Sequence, residues 1–366
     1  MKSYIMAGCI QISAAAMLFV LPALGPVDEC AAENTSEKGG CGKKIQVGAV
    51  LPLSAGPMSS GLSVQRSIQL AGEKYDRSGC VEFLFEDDQL EPRKTVAAVK
   101  KLIEVDRVSG LIVYGTPTSL AVADYVEQRK LPMIAFSILR RVVENRRYIV
   151  KHWCTAERLD QAIIAEVKRR SYPTVAVAST FNDAMLGLRD LFVQSGTAKI
   201  VADDEFNKED FDFRTAALKI KQKNPAAVYV LIYPPQTSPF VRALRTVGYG
   251  GEMFGVHNIE DPAEVAAAAG AMEGMWLANG DDAAGEGYAA LYFERFNGKP
   301  PLGGANGFDA AKLFIEAAAS GREINEYLHT VRNFSGAFGI YHASGSNDFT
   351  FPAAIKVVQG GSFEKP

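Results

Sequence analysis

Signatures of covalent chemistry are missing from this chain. It has no Gly-rich phosphate loop, no GxSxG elbow and no HExxH pair, and no CxxC or Cys/His spacing suits a metal. With no nucleophile–base constellation in view, an enzyme is not expected and no cofactor is called for. Basic blocks are absent too: 39 Lys and Arg stand against 42 Asp and Glu, a net charge of −3, and the cations are scattered along helical stretches. That balance argues against nucleic acid and against an anionic membrane surface as partners. Cysteine is sparse, at five residues (Cys9, Cys30, Cys41, Cys80 and Cys154).

The chain opens on Lys2 and then a mostly apolar run over residues 5–24, closed by Gly25-Pro26-Val27-Asp28-Glu29. A short basic start and an apolar core of this length read as an export signal over residues 1–32, with cleavage after Gly25 or after Ala32. A permanent anchor is the alternative, weakened by Gly8, Gln11 and Ser13 inside the run. The expected location is periplasmic, where cysteines can oxidise. Cys9 leaves with the signal. Cys41 and Cys80 each precede an expected strand, so if those strands are neighbours in a parallel sheet a Cys41–Cys80 disulfide is feasible, whereas Cys154 is expected as a buried free thiol.

Hydrophobic content of 48% with 22% charge describes a well-filled core, and 366 residues are enough for two domains. After a linker over residues 33–43, strands and helices alternate. Strands are expected at 45–51, from Val81 to an acidic turn, and at 110–114, 133–136, 174–178, 199–202 and 227–233. Helices are expected through Tyr75, from Arg93, and at 160–170, 184–194, 213–223 and 239–247. Val96, Val99 and Ile103 form one apolar face of the helix from Arg93, and Phe213, Ala217 and Ile220 form another, with Asp212 as N-cap. Such alternation implies α/β architecture with parallel sheets covered on both faces, and too many units for one sheet.

The segment from Val81 to Ser119 carries the most information. It reads as strand, acidic turn, helix and strand, then the hydroxyl-rich loop Gly115-Thr116-Pro117-Thr118-Ser119 before another helix. A loop at the carboxyl end of a parallel strand, beside a helix N-terminus, is where α/β sheets hold small, often anionic ligands. Thr116 and Ser119 either contact such a ligand or simply cap the helix. Glu86-Asp87-Asp88 invites a reading as a metal or acid pair, but an acidic strand end capping the next helix is the plainer one.

The ordered set of segments resembles the periplasmic leucine/isoleucine/valine-type solute-binding proteins of ABC transporters. It comprises Ile45-Gln46-Val47-Gly48-Ala49-Val50-Leu51-Pro52-Leu53-Ser54, Glu86-Asp87-Asp88 with Pro92, Leu131-Pro132-Met133-Ile134 and Asp212-Phe213. Arg242-Ala243-Leu244-Arg245-Thr246-Val247-Gly248, Gly307-Phe308-Asp309-Ala310-Ala311 and Phe334-Ser335-Gly336-Ala337-Phe338-Gly339 complete it. The resemblance implies two Rossmann-like lobes joined by three crossing hinge segments. Lobe 1 would span 44–151 plus 280–332, and lobe 2 would span 155–279 plus 333–362. It also implies a monomer that captures a small molecule in the cleft and delivers it to a membrane ABC permease. A ligand-sensing receptor with the same fold is the alternative.

For the site, the resemblance implies that Thr116 falls at a ligand-binding serine and Ser137 at a position whose backbone contacts ligand. Tyr233 falls at a cleft tyrosine. Leu139 stands where a threonine is usual, Ala184 where a tyrosine is usual, and His257 where an acid pairs with the ligand's ammonium. His257 is otherwise a structural histidine. These departures point to an acid without an α-ammonium, such as an aromatic acid, with Phe136, Trp153 and Tyr233 as an apolar wall.

Overall fold

A computed structural model describes residues 44–55, 58–282, 285–349 and 351–366. The export-signal and linker segments, with Cys9, Cys30 and Cys41, lie outside the described residues. Among the described residues, no helix is long and apolar enough to cross a membrane.

The first lobe is laid down by strand–helix alternation: β1 (Ile45–Leu51), α1 (Met58–Tyr75), β2 (Val81–Asp87), α2 (Pro92–Glu104), β3 (Gly110–Tyr114), α3 (Thr116–Gln128), β4 (Met133–Phe136) and β5 (Ile149–Lys151). These strands form a parallel five-stranded sheet in the order β2-β1-β3-β4-β5. β1 and β3 are apolar runs buried along almost their whole length, as central parallel strands must be. On α2 the buried stripe is Thr95, Ala98, Val99 and Leu102. Val96 and Ile103, expected on that face, are only partly buried, because the helix is rotated to set Leu102 against the sheet.

The second lobe follows: α4 (Ala156–Arg169), β6 (Thr174–Thr180), α5 (Asp183–Gln194), β7 (Lys199–Phe206), α6 (Arg214–Lys223), β8 (Ala227–Leu231), α7 (Thr237–Thr246), β9 (Glu252–Val256), α8 (Pro262–Ala267) and β10 (Trp276–Gly280). Then come α9 (Glu286–Phe296), α10 (Gly304–Ser320), α11 (Ile324–Thr330), the hairpin β11 (Phe334–Gly336) and β12 (Gly339–Tyr341), and finally β13 (Ala353–Gln359) and β14 (Ser362–Glu364). The second sheet has seven strands in the order β14-β13-β10-β9-β8-β6-β7, antiparallel only at β10–β13 and β13–β14. Its core is aromatic: Phe254 stacks between Tyr229, 4.8 Å away, and Trp276, 4.6 Å away. Burying each such ring contributes roughly 1.5–3 kcal/mol.

α10 returns to pack along α1, so its residues belong with the first sheet although they follow the second in sequence. The chain therefore passes between the lobes three times. It crosses from β5 to α4, from β10 to α9, and from α11 through the β11–β12 hairpin to β13. A buried network ties the first and third crossings to α10. His152 Nε2 lies 2.7 Å from Tyr341 Oη, which donates to Asp309 Oδ2 at 2.7 Å, while Asn306 Nδ2 donates to the His152 carbonyl at 2.9 Å. Gly336 passes so close to this carboxylate that a Cβ there would fall 2.3 Å from Asp309 Oδ2.

Candidate functional site

Each lobe presents the carboxyl ends of its strands to the other, and a cavity lies between those ends. Ser60, Leu90, Tyr114, Gly115, Thr116, Phe136, Ile138 and Leu302 line it from the first lobe's side. Trp153 lines it from the first crossing, and Tyr233, Pro234, His257, Asn258 and Asp261 line it from the second lobe. The open space is about 20 Å³, room for about one water molecule. The lobes are drawn together over it. Ser59 on α1 donates to Asp261 Oδ2 at 2.5 Å, and Arg141 pairs with Asp183 at 3.1 Å.

Gly115 makes the first wall. It sits between β3 and α3 at φ 96°, ψ 147°, where an added Cβ would lie 2.5 Å from Leu90 Cδ1. Only glycine suits both constraints. α3 then begins at Thr116, inside the stretch expected as loop, and no side chain caps it. Thr118 and Ser119 donate back to carbonyls of the preceding strand, Thr118 Oγ1 to Tyr114 and Ser119 Oγ to Val113 at 3.4 Å. Ser119 is fully buried and does not line the cavity, which corrects the expectation placed on it. Its place in the first helical turn points it at the sheet.

Thr116 does line the cavity, and its hydroxyl does no capping. Thr116 Oγ1 accepts from Ile138 N at 3.4 Å, Ser137 Oγ accepts from Leu139 N at 3.2 Å, and the two hydroxyls are 3.0 Å apart. One hydroxyl hydrogen serves the contact between them. The other remains for an acceptor, beside the unpaired N–H groups of a helix N-terminus. Ser137 is fully buried behind Thr116 and contributes through this pair without lining the cavity itself.

Aromatic rings form the remaining walls. Trp153 lies 6.0 Å from both Tyr114 and Phe136 and meets the His257 ring edge-on at 5.4 Å. Burial pushes the Tyr114 hydroxyl up to about 12 and the His257 imidazole down to about 3, so both are neutral across the physiological range. Burial also raises Tyr233. Ala184, expected at the cleft, is absent from it. It is the second residue of α5, its N–H is held by the Asn182 cap at 3.0 Å, and its methyl joins the lobe core.

Thr116, Phe136, Tyr233 and His257 thus meet at one cavity, with Trp153 beside them. Among the lining residues that had not been singled out, three carry polar groups of consequence: Tyr114, Asn258 and Asp261. Tyr114 ends the strand before the hydroxyl loop. Asp261 N-caps α8, accepting from Ala263 N at 2.8 Å, and Asp-Pro at a helix start was a readable sign of that cap. The second wall therefore does carry an acid, four residues beyond His257. Both carboxylate oxygens already have protein donors.

Glu86-Asp87-Asp88 proves structural. Asp88 accepts from Leu90 N at 2.9 Å and from Thr95 Oγ1 at 2.7 Å, and Asp87 Oδ1 accepts from Leu53 N at 2.8 Å. Among the described residues, no cluster of His, Cys, Asp or Glu could hold a metal ion. Cys154 is a buried free thiol, and burial pushes its pKa up to about 12. β1 and β2 are neighbours with Ile45 opposite Val81, while Cys41 lies outside the described residues.

A two-lobed α/β fold with a polar and aromatic cleft between the lobes is the architecture of type I periplasmic binding proteins. A family model described as periplasmic binding protein matches residues 44–361, and the chain belongs to that family. Its fold is similar to a leucine binding protein from Thermotoga maritima, with TM-score 0.83 at 22% identity over 88% of this chain and 97% of that one. A branched-chain amino acid transporter substrate binding protein from Streptococcus pneumoniae, solved with isoleucine, gives TM-score 0.81 at 20% identity over 88% and 100%. An ABC transporter solute binding protein from R. palustris, solved with benzoate, gives 0.80 at 17% over 88% and 95%.

Proposed function

We propose that this protein is the exported, periplasmic binding component of an ABC transporter. It closes its lobes on a small carboxylate-type solute, in particular an aromatic or other non-standard acid, and delivers it to the membrane permease. The observation that carries the reading is the Thr116–Ser137 hydroxyl pair at the N-terminus of α3, set in a cavity walled by Tyr114, Phe136, Trp153 and Tyr233. The pair and the helix terminus favour an anion, and the rings favour a planar apolar body. No reaction is involved: the solute contacts both lobes and shifts the equilibrium toward the closed form.

One observation favours a second reading. Asp261 lines the cavity and is able to accept from an ammonium, which suits an ordinary amino acid. Titration calorimetry with benzoate, phenylacetate, leucine, isoleucine and valine separates the two. Aromatic acids are expected to bind and to raise the melting temperature, since a ligand at 100 times its Kd stabilises by about 2.7 kcal/mol. Tight binding of leucine or valine with no affinity for the aromatic acids sinks the first reading in favour of the second.

A further inference from the structure

Three buried polar atoms without a hydrogen-bond partner belong to residues that line this cavity: Trp153 Nε1, His257 Nδ1 and Asn258 Oδ1. Their residues are 4%, 6% and 1% exposed. A buried polar group left unpaired costs roughly 1–3 kcal/mol, so residues around one small cavity that carry such atoms call for partners a bound solute is placed to supply.

The chemistry of each is constrained. Asn258 Nδ2 donates to the Ile232 carbonyl at 2.7 Å, and only the amide nitrogen is able to face a carbonyl, so Oδ1 is the free end and accepts. The Trp153 indole is a donor only. His257, neutral through burial, offers one donor and one acceptor. A ligand ammonium satisfies Asn258 but leaves the indole N–H unpaired. A second carboxylate satisfies the indole but meets the Asn258 oxygen as acceptor against acceptor. A neutral group that donates and accepts satisfies both.

We infer that the solute carries, at the end away from Thr116, an uncharged hydroxyl or carboxamide that accepts from Trp153 Nε1–H and donates to Asn258 Oδ1. This rests on the acid-binding reading above and narrows it. It makes Trp153 and Asn258 specificity-determining residues and leaves Asp261 to the lobe contact with Ser59.

The test is calorimetry on the purified protein with benzoate, 3- and 4-hydroxybenzoate, 3- and 4-carbamoylbenzoate, and 4-(aminomethyl)benzoate. At least one hydroxyl or carboxamide compound is expected to bind about tenfold or more tighter than benzoate, because sites built to bond a polar group reject analogues that lack it. In Trp153→Phe, which keeps a ring and removes the N–H, that ratio is expected to collapse toward one. Equal affinity for benzoate and all its substituted forms overturns the inference while the acid reading stands, and means that water satisfies these atoms. Tightest binding of the aminomethyl compound overturns it as well. Binding of none of the six overturns both. Should Trp153→Phe fail to fold, the wild-type ratios alone decide.

Discussion

Thr116 is the residue on which the acid-binding reading turns, and the arrangement around it sets the size of the effect expected. Its hydroxyl accepts from Ile138 N and shares a hydrogen with Ser137, so the pair presents one donor to the cavity. A hydrogen bond to a charged acceptor is worth roughly 1.5–3 kcal/mol. Thr116→Val removes the hydroxyl at nearly constant volume and is expected to weaken solute binding by roughly tenfold to a hundredfold. Thr116→Ser is expected to restore most of it, because the hydroxyl is what matters. Calorimetry on the three proteins checks this, and equal affinity in all three would show that the helix N–H groups alone hold the acid.

At the scale of elements, the alternation of apolar runs with amphipathic stretches was enough to place most strands and helices. It misjudged ends where tertiary partners decide them. β7 runs on to Phe206, past the apolar residues, because it is an edge strand whose acids pair outward: Asp203 with Arg189 and Asp204 with Lys219. Composition alone stops at Ala202. The same limit governed the site. Thr116, Phe136, Tyr233 and His257 follow or end strands, so chain order alone directs them to the cleft. Ser119 and Ala184 depend on helix phase, which packing sets. Asp261 comes from a cap in the other lobe that only the fold brings opposite Ser59.

The hinge elements carry a pH dependence whose sign follows from burial. Desolvation pushes Asp309 up to about 7, only partly offset by bonds from Ala337 N and Tyr341 and by the Lys312 charge on its own helix. His152 is held down at about 3 by burial and stays neutral beside it, 3.9 Å away. The folded protein therefore keeps a proton that the unfolded chain, with its ordinary aspartate pKa of 3.8, gives up. Stability from this group is fully present below about pH 4 and is lost as pH rises through about 7. Asp309→Asn imitates the protonated form. Its melting temperature is expected to fall less than wild type between pH 4 and pH 7, and parallel curves would show that Asp309 does not titrate in that window.

For the molecule as a whole, function depends on how far the closed form is favoured before any solute arrives. Two of the polar contacts that span the lobes differ in weight. Arg141–Asp183 is an ion pair with side chains 59% and 54% exposed, the kind worth about 0–1 kcal/mol. Ser59–Asp261 is a 2.5 Å hydrogen bond to a buried carboxylate that also caps α8, so its donor is worth roughly 1.5–3 kcal/mol. Losing that much from the closed form alone shifts the equilibrium roughly tenfold or more toward open. Ser59→Ala is therefore expected to increase the radius of gyration of the solute-free protein in small-angle X-ray scattering. It is also expected to weaken solute binding by about the same factor, and saturating solute is expected to restore the wild-type radius. Asp183→Ala is expected to change neither quantity measurably. If Ser59→Ala leaves the solute-free radius unchanged, the contact follows closure without helping to set it, and the hinge network around Asp309 becomes the element that decides how the lobes rest.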